Sequence, residues 1–235
     1  ITLVLRVMED MKMAQVKKAI VRDAIMRAAF DLFSQKDYAA TSLVEIAHTA
    51  GVSPASLYVY FPSKFKILWA VLRQWLVEEM NALEKEIQKI TDPTGKLEHV
   101  LYGLWEKIPA ANSNLAANFV HGIATSPPDD AECRNTVLYL EDRLNDLLQH
   151  CIPADRRAMF GQNTEFSRFV ILTFDGLIVT SRFRCSEHQI DDLVRIACMM
   201  VLGPSGEAGA LVHSQEMPPV TTRQLAPRMV QAYRR

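Results

Sequence analysis

The stretch from Thr41 to Lys64, T-S-L-V-E-I-A-H-T-A-G-V-S-P-A-S-L-Y-V-Y-F-P-S-K, admits little besides two short helices joined by a tight corner. Leu43, Ile46, Ala47 and Ala50 recur at helical spacing and give the first helix one apolar face. Thr41 or Ser42 can start it, and Ser42 with Glu45 three residues on forms a capping box. Gly51 ends it, because glycine enters a left-handed C-terminal turn without a Cβ penalty, and Val52 can drop back onto the helix as an apolar plug. Ser53 is a good N-cap and Pro54 suits the first helical position, where its missing N–H is not needed. Pro62 confines the second helix to about Pro54–Phe61, and Ser63 caps the next start.

Helix, glycine turn, helix is the arrangement whose second helix lies in the major groove of DNA. Leu57 and Phe61, four apart, share the face that anchors the helix to a core, and the rest point elsewhere. On the functional reading, Tyr58 and Tyr60 bond phosphates, Lys64 adds a charge contact, and Pro54, Ala55, Ser56 and Val59 face base edges. The alternative is a structural corner of an all-helical protein.

The string I-A-x-x-A-G-V-S-x-x-x-L-Y-x-Y-F-x-S-K, Ile46 to Lys64, resembles the DNA-binding motif of TetR-family transcriptional regulators. Ile25, Ala28, Ala29, Phe33, Tyr38 and Thr41 match that family's first helix and following loop. Asp37 stands where the family usually has Gly, and Pro54 and Ala55 depart at positions that affect which bases are read. The resemblance implies that Thr41, Ser42 and Ser53 also lie at the DNA, that the last two helices dimerise, and that a small molecule binds the body and shifts the spacing of two DNA-reading heads.

Charge is distributed to match. From Lys12 to Arg73 there are nine Lys and Arg against four Asp and Glu, net +5; from Gln74 to Gly203 there are twelve against nineteen, net −7. A basic head on an acidic body suits a head that meets phosphate. Lys12, Lys17, Lys18 and Arg22 cluster at the start of the first helix, either as a solvated face or as backbone-phosphate contacts. Cys133, Cys151, Cys185 and Cys198 have no metal or redox spacing and read as reduced core residues of a cytoplasmic protein. No apolar run spans a bilayer, and Ile1 to Val7 is too short and too interrupted for a signal peptide. Glu45 and His48 form an isolated E-x-x-H without the partners a di-metal bundle needs, so no metal site is expected.

The expected class is all-α: an N-terminal three-helix helix-turn-helix domain joined to a helical ligand-binding and dimerisation domain. Residues 1–14 read as an extension, 15–63 as the DNA-binding domain, 64–203 as the effector and dimerisation body, and 204–235 as a flexible tail. A helix from about Gln15 to Gln35 buries Val21, Ile25, Ala28, Ala29, Leu32 and Phe33. A long helix from Lys64 to about Ile90 links head and body; another, marked by Leu97 to Ile108, ends at Pro109. Helices from Thr164 to Arg182 and from Gln189 to Leu202 are apolar all round, so more than one side must be covered. A two-fold pairing would do this through Phe169, Leu172, Val179, Leu193, Ala197 and Met200, with Gly176 permitting close approach; a buried central helix in a monomer is the alternative.

For an effector, Trp69, Trp105, Phe119 and Phe174 offer apolar lining and Asn118, His121 and Asp175 polar points, though aromatics at helical spacing also serve as plain core. These readings converge on a homodimer that binds double-stranded operator DNA and a small-molecule effector, with no cofactor and no membrane partner. The competing classes are a helical enzyme and an architectural module. No nucleophile elbow, phosphate loop or paired carboxylates favour the enzyme, and no catalytic residue is assigned.

Overall fold

The computed structural model describes residues 2–125, 130–157, 164–181 and 189–203. Among them the chain is helical throughout: α1 (Thr2–Gln35), α2 (Leu43–Thr49), α3 (Pro54–Tyr60), α4 (Lys64–Ile87), α5 (Pro93–Tyr102), a π-helical turn (Gly103–Lys107), α6 (Ile108–Ala111), α7 (Ser113–Ala124), α8 (Ala131–Gln149), α9 (Glu165–Ser181) and α10 (Gln189–Leu202). No strand occurs among the described residues. The C-terminal tail, Cys185 and Arg182 lie outside them.

The chain divides into two compact units. The first holds the residues up to Gln74 together with those from Asn114 onward in α7; the second holds residues 75–113 with α8, α9 and α10.

In the first unit α1 begins at Thr2, well before the expected start at Gln15, so the expected extension is continuous with the helix. Ile25, Met26, Ala28, Ala29, Leu32 and Phe33 form its buried stripe; α1 packs on α2, where Ile46 and Ala47 are buried, and α2 packs on α3, where Leu57 is buried. Gly122 brings α7 close to α4: a Cβ there would stand 2.8 Å from Leu68 Cδ2.

In the second unit, α5 starts on Asp92, whose carboxylate accepts the Gly95 N–H at 2.7 Å. The helix does not end at Pro109. Proline cannot donate to the carbonyl one turn back and its ring crowds that carbonyl. The preceding turn is widened instead, with Ile108 N–H reaching Gly103 O, and helix continues to Ala111. Gly103 is also where α5 meets α4, since a Cβ there would lie 2.3 Å from Leu83. α10 packs on α5, and α9 on α8 and on the π-helical turn.

Candidate nucleic-acid interface

The corner forms as its residues dictate. Ser42 Oγ accepts the Glu45 N–H at 3.1 Å and Ser42 N–H returns a bond to the Glu45 carboxylate, so the capping box closes in both directions. The same carboxylate receives the Lys36 ammonium, which holds its pKa below the ordinary value. Gly51 takes φ 69°; its N–H donates to His48 O and the Val52 N–H to Ala47 O at 2.9 Å, satisfying the last carbonyls of α2. Ser53 Oγ then accepts the Ser56 N–H at 3.1 Å and α3 begins at Pro54.

Leu57 and Phe61 are buried, which pins one side of α3 inward. Pro54, Ala55, Tyr58 and Val59 stand on the opposite side in solvent, Tyr58 at 55 % and Val59 at 77 % exposure. Ser56 and Tyr60 lie at the flanks, half-buried. Val59 and Tyr60 line a surface groove of about 300 Å³ with Gln15, Lys18, Ala19 and Arg22 of α1. The Arg22 guanidinium also sits 5.2 Å from the centre of the Phe61 ring, and Lys12, Lys17, Lys18 and Arg22 are all exposed. The structure thus sets cationic groups of α1 beside the outward face of α3. It also exposes Val44 of α2, which spacing arguments passed over because it lies off that helix's apolar stripe.

Two expected DNA contacts have internal partners. Thr41 is buried and its hydroxyl donates to Asp37 O at 3.1 Å. Lys64 donates to Tyr38 O at 2.6 Å and Thr41 O at 2.7 Å, with its ammonium 4.2 Å from the Tyr38 ring centre. Burial lowers its pKa, and at most one N–H of the ammonium remains for a phosphate. Ser42 and Ser53 are exposed.

The residues proposed for an effector separate. Trp69, Asn118, Phe119 and His121 belong to the first unit; Trp105 and Phe174 belong to the second. In the first, Trp69 stacks between Phe65 and Phe119, and its buried Nε1 has no hydrogen-bond partner among the described residues. Asn118 is committed to backbone: it accepts the Tyr38 N–H at 2.7 Å and donates to Phe33 O at 2.8 Å and Lys36 O at 2.9 Å. His121 is exposed beside the Tyr38 ring. In the second, Trp105 Nε1 donates to Val170 O at 3.0 Å and its ring meets Phe169 edge-on. Phe174 is buried; next to it, burial pushes the Asp175 carboxyl up to about 6, and its Oδ1 has no partner among the described residues.

The helices assigned to pairing divide more finely than expected. Leu172, Gly176 and Val179 form one exposed strip on α9, and Met200 is exposed on α10 together with Ile196 and Met199, which the sequence reading missed. Phe169 and Leu193 are half-buried, whereas Ala197 is fully buried within its own chain and cannot present a surface. Cys151 and Cys198 are buried thiols pushed up to about 12 by desolvation, and Cys133 is half-buried. Among the described residues no group of three or more His, Cys, Asp or Glu could hold a metal, and no helix is long and apolar enough to cross a membrane.

Comparison with known proteins agrees with this geometry. Residues 25–71 match the family model described as bacterial regulatory proteins, tetR family. The HTH-type transcriptional regulator HbdR of Aromatoleum sp. (strain CIB) is 31% identical over 102 residues, 40% of this chain and 44% of that one. The HTH-type transcriptional regulator RutR of Escherichia coli (strain K12) is 51% identical over 55 residues, 23% of this chain and 26% of that one. The chain thus spans less than half the length of these two relatives. Its fold is similar to that of Thermus thermophilus FadR, a TetR-family transcriptional repressor solved with lauroyl-CoA, at TM-score 0.59 and 22% identity over 80% of this chain and 98% of that one. A TetR transcriptional regulator from Rhodococcus sp. RHA1 also gives TM-score 0.59, at 19% identity over 79% and 97%. By its helix-turn-helix corner and the matches that centre on it, the segment from residue 25 to residue 71 is a DNA-binding domain of the tetR type of bacterial regulatory proteins.

Proposed function

We propose that the protein is a cytoplasmic, homodimeric, sequence-specific DNA-binding transcriptional regulator, a repressor released from a palindromic operator by a small-molecule effector. The observation that carries the DNA-binding reading is the division of α3 into a buried Leu57–Phe61 side and an outward Pro54–Ala55–Tyr58–Val59 side, with exposed cations of α1 at its flank. On this reading α3 enters the major groove, Tyr58 and Tyr60 meet phosphates, and Lys18 and Arg22 follow the backbone. The exposed apolar strips of α9 and α10 supply the dimer contact, covered by the same strips of a second copy. Two copies then present two α3 helices to half-sites about one helical turn, roughly 34 Å, apart. The effector binds in the body and favours a state in which the two heads no longer match that spacing. The FadR neighbour's lauroyl-CoA makes long acyl thioesters the first class to screen.

Selection of bound duplexes from a random library, followed by footprinting at physiological salt, tests the reading. A protected palindrome with half-sites one turn apart supports it. Failure to enrich any sequence contradicts it.

A further inference from the structure

We infer that the outward face of α3 recognises thymine, through contact of Val59 and Ala55 with the C5-methyl groups that thymine alone presents in the major groove. The inference rests on the DNA-binding reading above and names the base class that reading leaves open.

The chemistry of that face is unusual for a base reader. Strong discrimination comes from bidentate side chains: Arg or Lys on guanine, Asn or Gln on adenine, Asp or Glu on cytosine. The outward residues Pro54, Ala55, Tyr58 and Val59 include none of these. Lys64, the nearest lysine in sequence, donates to two carbonyls of its own fold, and Arg22 lies over Phe61 at the flank. Ser56 is half-buried, and a hydroxyl pairs with more than one base. What remains is apolar matter facing a groove whose apolar group is the thymine methyl.

Val59 is placed for that contact. It is 77 % exposed, the most exposed large apolar side chain among the described residues, so its surface meets only water until something covers it. As a β-branched residue it loses little rotamer freedom when covered. Ala55 lies one turn earlier on the same edge of α3, about 6 Å along the axis. That is one to two base steps of about 3.4 Å, so both side chains can meet methyls within one half-site. The occupant of this face is duplex DNA because the exposed Lys18 and Arg22, which line one groove with Val59 and Tyr60, give the surface a positive rim.

The experiment uses the full chain and the duplex it selects. Each thymine of the site is replaced in turn by deoxyuridine, which removes the methyl and keeps the pairing edge. At one or two positions per half-site the Kd should rise about fourfold, the worth of one buried methylene-sized group. Val59→Ala should weaken binding to the thymine site by a similar factor and abolish the effect of uridine at one position, whereas Val59→Thr, which keeps a methyl, should retain it. A selected site whose affinity no uridine substitution changes would overturn the inference and leave the DNA-binding reading intact. Failure to select any site would overturn both.

Discussion

Asn118 carries more of the first unit than its place in the sequence suggests. A single buried amide binds the N–H of Tyr38 and the carbonyls of Phe33 and Lys36, tying the end of α1 and the loop before α2 to a residue of α7. Asn118→Leu keeps the volume but leaves those groups unpaired, and should lower stability by roughly 2–4 kcal/mol in chemical denaturation. Lys64 plays a related part on the other side of the loop. Lys64→Ala should therefore lower the melting temperature, at about 1–2 kcal/mol, as well as weaken binding to all duplexes alike; a loss of DNA affinity with unchanged stability would return Lys64 to a purely external role. Asp175 sets a pH dependence. Its folded pKa of about 6 lies above the ordinary 3.8, so the folded state favours the protonated form, and stability is lost as pH rises from about 4 through 6. Asp175→Asn should melt higher than the parent at pH 7.5, by about 1–2 kcal/mol after allowance for partial exposure, and lose that advantage at pH 4. Neither Asn118 nor Lys64 could be placed from sequence: the Asn118 partners lie 80 or more residues away, and spacing rules see only neighbours along one helix.

At the scale of elements, the helix-turn-helix corner was the most legible part of the chain because its signals are local. Ser42, Gly51, Ser53 and Pro54 each act within a few residues, and each does what its chemistry requires. The helix through Pro109 was not legible, because the usual rule ends a helix before proline and no spacing signal marks the widened turn that lets it continue. Apolar content marked α9 and α10 as unusual but could not say which side faced out. Ala197 went inward, and Ile196 and Met199 took the outward positions. The exposed strip of α9 gives the element-scale prediction. Leu172, at 65 % exposure, touches little within its own chain, so Leu172→Glu should leave helicity and folding unchanged while shifting the protein to monomer in sedimentation equilibrium. An unchanged mass would remove α9 from the interface.

For the molecule as a whole, charge separates where the proposed function needs it. The segment from Lys12 to Arg73 carries net +5 and the segment from Gln74 to Gly203 net −7, so a chain of net −1 still offers one basic surface. That division, the all-α class and the corner were readable from residues alone. The effector site was not, since Trp69, Asn118, Phe119 and His121 fall in one compact unit and Trp105 and Phe174 in the other. The central claim is that the basic first unit binds duplex DNA along its backbone. Its most direct test is fluorescence anisotropy of the purified chain on its selected duplex across a series of salt concentrations. Four exposed cations of α1 in each copy predict that log K falls linearly with log salt, with a slope of about −3 to −7. A slope near zero, or no binding even at low salt, would contradict it.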